Sequence, residues 1–320
     1  MAGGLLQRLL TRSGVLPLLR NQWREENAQV NARLEKLDRD VRMLRETLAL
    51  NVTQREKGTN NPGLFDPERV GAHVQQALAT APMQSDPTAH VVITGLIPDD
   101  TYQALLDGIP PRVFFPQKGD AKQNLKLSQI DIAPEWTLKT LSFLETVLIP
   151  RMVVPVLIRK FEPHLREFYV REYGPERGPL CAALPHEATG GRLMLRRPGY
   201  HLDPHLDPRR VVVTMLMYFA RSGDSETFGT SFFRINGVPT LDRANTFYPG
   251  RQGLTCDLVK TVPFRPNTAV AFLNAGAAHG ADIPRDAPKD TERYAYQFYV
   301  SPEPGALAAI VGETEAASAG

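Results

Sequence analysis

PGYHLDPHLDPRRVVVTMLMYF, residues 198–219, carries the two features on which the reading of this chain turns. Its second half is a long apolar run rich in β-branched residues, the composition of a buried strand. Its first half holds two His-x-Asp units, His201-Leu202-Asp203 and His205-Leu206-Asp207. In extended backbone, residues i and i+2 project to the same side, so the imidazole and carboxylate of either unit can converge on one ion. Taken singly, each unit also suits a solvated turn in which Asp caps a bend beside proline.

Working outward, strand-like runs recur at RLMLR (192–196), TSFFRI (230–235), TAVAFLN (268–274) and RYAYQFYV (293–300), with no crossover helix between them. HVVITGL, from His90, reads as a buried strand, and Pro98-Asp99-Asp100 opens a short helix after it. Between 134 and 174, Leu138, Leu141, Leu144 and Leu148 follow helical spacing, and Pro150, Pro155 and Pro163 are expected to divide the remainder into short pieces. Strands preceded by helices predict a mainly β domain, an antiparallel sheet pair or barrel with supporting helices on one face.

The expected organisation is an amphipathic helix or coiled coil over 1–57, a linker over 58–87, a domain over 88–304 with helical support at 134–174 and a β core at 189–301, and a flexible tail over 305–320. Val30, Leu34, Leu37, Val41, Leu44 and Leu48 are spaced 4, 3, 4, 3, 4, which is heptad spacing and favours a homo-oligomer formed through residues 30–48. Residues 1–24 contain no acid and carry Arg8, Arg12, Arg20 and Arg24 among paired leucines. They read first as a helix packing on the protein or a second subunit, and otherwise as a mitochondrial transit peptide or a membrane-surface contact by residues 1–20.

The 320 residues are 42% hydrophobic and 22% charged, enough for a sizeable core. Thirty-seven basic against 35 acidic side chains leave a net charge of +2, too balanced for the basic field duplex nucleic acid selects, so no nucleic-acid partner is expected. Cys181 and Cys256 show no CxxC pairing, so neither a disulfide framework nor a thiolate zinc site is signalled and a cytoplasmic location fits.

A third ligand candidate, His279, stands in NAGAAHG after the run TAVAFLN. Two imidazoles and one carboxylate on one face of a metal leave open positions, the ligand set of non-haem Fe(II) oxygenases. Arg293, 14 residues on, shares a strand face with Ala295, Gln297 and Tyr299. A guanidinium pointing into a strand-built interior needs an anion, and its planar fork suits a carboxylate.

Residues 192–300, about a third of the chain, resemble the catalytic core of the Fe(II)/2-oxoglutarate-dependent dioxygenases, in particular the prolyl 4-hydroxylase-like branch. The similar elements are Pro198-Gly199, Pro204-His205-Leu206-Asp207, Leu216-Met217-Tyr218-Phe219, Glu226-Thr227-Phe228-Gly229, Ala271-Phe272-Leu273-Asn274 with His279-Gly280, and Arg293. The resemblance implies a double-stranded β-helix, a jelly roll of cupin type. It implies iron held by His205, Asp207 and His279 in preference to His201 and Asp203, and 2-oxoglutarate held by Arg293. Tyr218 and Thr230 stand in for the tyrosine that the branch carries where this chain reads Leu195-Arg196-Arg197. The implied reaction couples oxidative decarboxylation of 2-oxoglutarate by dioxygen to hydroxylation of a C–H bond, with ascorbate as a reductant. The carboxylate of Asp207 fills the position that halogenating relatives leave for chloride. A small-molecule, glycan or peptidyl substrate is implied. Arg196, Arg197, Arg209, Arg210, Arg234, Arg243 and Arg251 suggest an anionic one, and residues 236–261 read as a lid. A non-oxygenase metalloenzyme on the same barrel, or an oligomeric interaction protein with a vestigial barrel, are the rival readings.

Overall fold

The computed structural model describes residues 15–56, 62–116, 119–237 and 245–312. Its strands are β1 (Met83–Gln84), β2 (His90–Thr94), β3 (Lys122–Leu125), β4 (His186–Arg196), β5 (His201–His205), β6 (Val213–Tyr218), β7 (Thr230–Asn236), β8 (Thr255–Val262), β9 (Thr268–Leu273), β10 (Ala277–Asp282) and β11 (Arg293–Pro302). They form a larger sheet in the order β1-β2-β9-β6-β11-β4-β3 and a smaller one in the order β5-β10-β7-β8, every pair antiparallel. From β4 onward the chain crosses between the sheets at each step except β7 to β8. That alternation winds the expected double-stranded β-helix.

Alternation along the strands separates two cores. On β11, Tyr294, Tyr296, Phe298 and Val300 join Met215 and Met217 of β6 in an apolar layer under the helices. The intervening residues face the other sheet, where Ala295, Leu216 and Tyr218 meet Phe232 of β7, Val262 of β8 and Phe272 of β9. β6 and β9 are buried on both faces, which is why they read as unbroken apolar runs.

The helices are α1 (Val15–Glu56), α2 (Pro67–Thr80), α3 (Asp99–Asp107), α4 (Glu135–Phe143), α5 (Val154–Ala182) and α6 (Pro304–Val311). Several sequence expectations need correcting. The stretch 58–87 is not a linker: it contains α2, whose Val70, Val74 and Leu78 are fully buried in the core. The Asp66 carboxylate caps α2 by accepting from the Arg69 amide at 2.7 Å, and Pro67 follows it, the start signal that the Gly/Asn/Pro-rich run before it obscures. Replacing Leu78 with alanine is therefore expected to cost about 2–5 kcal/mol in denaturant unfolding. A cost within ~0.5 kcal/mol, usual for exposed sites, would mean α2 does not belong to the core.

The segment 305–320 is not all tail, since α6 buries Leu307 and Val311; residues 313–320 lie outside the described ones. Nor do the prolines divide the central helices. Pro150 lies in a wider π-helical stretch, Leu144–Val153, that tolerates its missing N–H; Pro155 sits in the first turn of α5, and Pro163 inside it. The break comes at Gly174, with φ 84° and ψ 169°. By length and composition Glu135–Ala182 is apolar enough to cross a membrane, but 50% of its most apolar window is buried within the protein. The expectations for residues 1–14 fall outside the described residues.

α1 docks on the domain through polar contacts and through Met43, which packs against the apolar core. The Arg39 guanidinium donates to the carbonyls of Val113, Phe114 and Phe115, and the Asn51 side chain accepts from the Glu135 amide at 2.9 Å, capping α4. The heptad stripe Val30, Leu34, Leu37, Val41, Leu44 and Leu48 points away from these contacts and is 38–67% exposed.

Candidate metal centre

The register of β5 against β10 sets His205 directly opposite His279, so both rings rise from the same face, 4.1 Å apart between centroids. Pro204 and the polar HLDPH sequence suit β5 because it is the edge strand of the smaller sheet, where a missing amide donor is tolerated. Gly280 follows His279 because a Cβ there would lie 2.6 Å from the Leu202 carbonyl. Just beyond β5, the Asp207 carboxylate turns back, with Oδ1 3.9 Å from His205 Nε2 and Oδ2 3.6 Å from His279 Nε2. Among the described residues, this buried group brings one donor atom from each member within 4.8 Å of the others.

Each member is held by its surroundings. The His205 Nδ1 sits 2.9 Å from the Asp203 carbonyl; a carbonyl only accepts, so Nδ1 carries the proton and Nε2 offers its lone pair to the group. Thr214, the polar interruption in the apolar strand β6, donates to Asp207 Oδ2 at 2.5 Å. Asn274 ties the loop down by donating to the carbonyls of Asp207, Pro208 and Val211. Tyr248 stacks on His205 at 5.5 Å, and Phe247 exchanges backbone hydrogen bonds with Leu206. Burial, reinforced by the neighbouring His205, holds the His279 pKa down to about 3, so the ring is neutral and able to ligate.

The group opens into a cavity of about 190 Å³ lined also by Lys122, Arg192, Arg196, Thr230, Arg293 and Gln297. Arg293 is fully buried beside the rings of Tyr218 and Phe264, its Cζ 5.4 and 5.1 Å from their centroids. Its Nε donates to the Phe228 carbonyl, while its Nη2 has no hydrogen-bond partner among the described residues. The Glu226–Gly229 turn reaches that position because Gly229 lets the backbone pass the Val262 carbonyl, which a Cβ would meet at 1.6 Å. Tyr218 donates to the Thr230 hydroxyl at 2.8 Å and accepts from the Thr230 amide at 3.0 Å, so this pair supports the cavity wall behind Arg293.

These residues fit a divalent transition metal with a carboxylate-bearing ligand beside it. Two imidazoles and a carboxylate form a mixed N/O set that leaves coordination positions open, and a buried guanidinium donor with no partner among the described residues awaits an anion.

His201 and Asp203 are placed elsewhere. His201 is 63% exposed and bridges Asp203 and Asp282 at 2.9 Å each. Its hydrogen bonds to Asp282 and Asp203 raise its pKa above 6.5. The stabilisation from these contacts is thus fully present below about 6.5 and disappears as pH rises through the raised value; at this exposure it is under ~1 kcal/mol. An NMR titration of the ring is expected to give a midpoint above 6.5, and a midpoint at or below it would contradict the bridge.

Two other expectations change. Of the arginines expected to surround the site, only Arg196 lines the cavity among the described residues. Arg209 pairs with Glu172 and Arg234 with Asp86, Arg197 donates to the Lys289 carbonyl, Arg251 lies over the Tyr248 ring, and Arg243 falls outside the described residues. The stretch 236–261 is only in part a loop over the site, because Thr255–Val262 is the edge strand β8, solvent-exposed enough to hide its periodicity. Lys122, Arg192, Thr214 and Tyr248 were not singled out as site residues by sequence reading; the hydroxyl inside VVVTMLMY was the available signal for Thr214.

No protein-family model matches the chain, and no curated protein matches it. Among solved structures it is similar to the epimerase SnoN in complex with Fe3+, alpha ketoglutarate and nogalamycin RO, at 12% identity over 72% of this chain and 84% of that one, TM-score 0.42. It is also similar to a prolyl 4-hydroxylase of Phytophthora capsici, at 16% identity over 74% and 66%, TM-score 0.39, and to one of Pseudomonas putida, at 16% over 73% and 98%, TM-score 0.31. At these values no residue role passes from those proteins to this one. The strand order alone makes the chain a double-stranded β-helix protein.

Proposed function

We propose that the protein is an Fe(II)- and 2-oxoglutarate-dependent oxygenase that hydroxylates a C–H bond. The observation that carries the reading is the joint presence, in one cavity, of the His205–Asp207–His279 group and the unpartnered buried donor of Arg293. His205, Asp207 and His279 would hold the iron, which supplies the activation of dioxygen that no side chain can perform. Arg293 would bind the distal carboxylate of 2-oxoglutarate and fix the direction in which the diacid enters. The Asp203 carbonyl, Thr214 and Asn274 keep the ligands in place, and the apolar residues Leu216, Met194 and Leu202 restrict water in the cavity.

The test is succinate formation from 2-oxoglutarate by the full chain with Fe(II), ascorbate and air. Succinate is expected with the parent and not with His279→Ala. Metal uptake without any succinate would remove the cosubstrate from the account and leave the rival metalloenzyme on the same barrel.

A further inference from the structure

The cavity holds more positive charge than one diacid requires. Lys122 on β3, Arg196 on β4 and Arg293 on β11 are direct cross-strand partners, forming a row of three cations on neighbouring strands of one sheet. Like charges set opposite each other in a sheet destabilise it unless something neutralises them. Arg192, further along β4, adds a fourth cation to the lining. Among the described residues, Asp207 is the one carboxylate in that lining and none of the four cations has an ion-pair partner.

Their donor inventories differ. Arg192 spends its donors on the Gly190 carbonyl, Gln297 and Tyr299, and so braces the wall. Arg196 is buried and held by the carbonyls of Gln123 and Leu195 and by Asn124, yet its Nε has no hydrogen-bond partner among the described residues. The Lys122 ammonium lies at the exposed end of the row and keeps its donors for a ligand.

We infer that the cavity binds a second oxyanion beside the cosubstrate, a carboxylate, sulfate or phosphate borne by the substrate and held by Lys122 and Arg196. This rests on the oxygenase reading, in which Arg293 is already committed to 2-oxoglutarate. Inorganic sulfate is the probe, titrated calorimetrically into the anaerobic Fe(II)-loaded protein saturated with 2-oxoglutarate, with chloride holding ionic strength constant.

One equivalent of sulfate is expected to bind without displacing 2-oxoglutarate, with a Kd raised at least about tenfold in Lys122→Ala, the loss of one charge-assisted contact. Because Lys122 is exposed, that variant tests the site without disturbing the core; Arg196→Gln is the second variant and is expected to weaken sulfate further. Competition between sulfate and 2-oxoglutarate, or sulfate binding equal in parent and Lys122→Ala, would overturn the inference. Lys122-dependent sulfate binding in a protein that takes up no 2-oxoglutarate would support the anion site and sink the cosubstrate reading.

A separate observation concerns α1. Its exposed stripe places Trp23, Val30, Leu37 and Leu44 at d positions and Leu34, Val41 and Leu48 at a positions of a heptad, on the side facing away from the domain, and the half-buried Asn27 takes the a position before them. A single Asn among apolar a residues fixes register in two-stranded coils. In a parallel, in-register pair, Arg33 at g meets Asp38 at e of the second copy, and Asp40 at g meets Arg45 at e. Antiparallel pairing with the same overlap would set Asp38 against Asp38 and Asp40 against Asp40, a repulsive arrangement.

The geometry points to a parallel dimer of this chain through α1. Sedimentation equilibrium of the full chain is expected to give a dimer, and Leu37→Asp with Leu44→Asp a monomer. Val30→Cys is expected to cross-link between copies on oxidation. A monomeric parent, whether free or bound to anionic vesicles, a dimer that survives the double substitution, or no cross-link at position 30 would contradict the proposal.

Discussion

Replacing Asp207 with alanine is expected to abolish turnover and weaken Fe(II) binding by more than about 100-fold, since losing even an outer partner of a metal ligand typically costs 10–100-fold. The carboxylate is the only anionic member of the group, and both of its oxygens lie within 4 Å of an imidazole Nε2. Its effect on the metal-free protein should run the other way. A buried carboxyl group packed against two imidazoles, with one hydroxyl donor from Thr214, is a desolvated polar group, so removing it should not lower the stability of the metal-free fold. Metal binding, by contrast, stabilises the parent by mass action. The signature is therefore a metal-induced rise in Tm that the parent shows and Asp207→Ala lacks, with similar metal-free Tm values. A variant that retained the rise would have to ligate the metal without Asp207.

Replacing Arg293 with leucine is expected to raise the KM for 2-oxoglutarate about 10–100-fold, the worth of a charge-assisted hydrogen bond of roughly 1.5–3 kcal/mol. Metal uptake should persist, because Arg293 is not a member of the ligand group. Arg293→Lys keeps the charge but loses the planar fork and the Nε bond to Phe228, so it should fall between parent and leucine variant. The split between cosubstrate KM and metal affinity distinguishes a cosubstrate anchor from a residue that only supports the sheet, which would change both or neither. A leucine variant with parental KM would assign the diacid to Arg196 or to no arginine at all.

The parts of this site that could be read from the sequence are those set by short-range periodicity. On β11 the alternation placed Arg293, Ala295, Gln297 and Tyr299 on one face and the aromatic residues on the other, and the two cores divide them in that way. His205 and His279 meet because of register between β5 and β10, a long-range fact that neither local sequence contains. Spacing alone left the two His-x-Asp units equivalent and the resemblance favoured His205 with Asp207; the physical reason is tertiary, since Asp282 comes from β10 to pair with His201, leaving His205 to face inward. The row formed by Lys122, Arg196 and Arg293 depends on three strands that are 74 and 97 residues apart along the chain, so charge counting along the sequence grouped Arg196 with arginines that pair elsewhere and missed Lys122. Helix α2 was a different kind of omission, because Asp66-Pro67 followed by Val70, Val74 and Leu78 carries both a cap and a helical apolar period.

The most direct measurement is an anaerobic titration of the Fe(II)-loaded protein with 2-oxoglutarate, followed by visible absorbance. A saturable charge-transfer band at one equivalent, lost in His279→Ala and shifted to higher 2-oxoglutarate concentration in Arg293→Leu, is the result expected. A protein that binds Fe(II) but develops no band at any 2-oxoglutarate concentration would contradict the account at its centre.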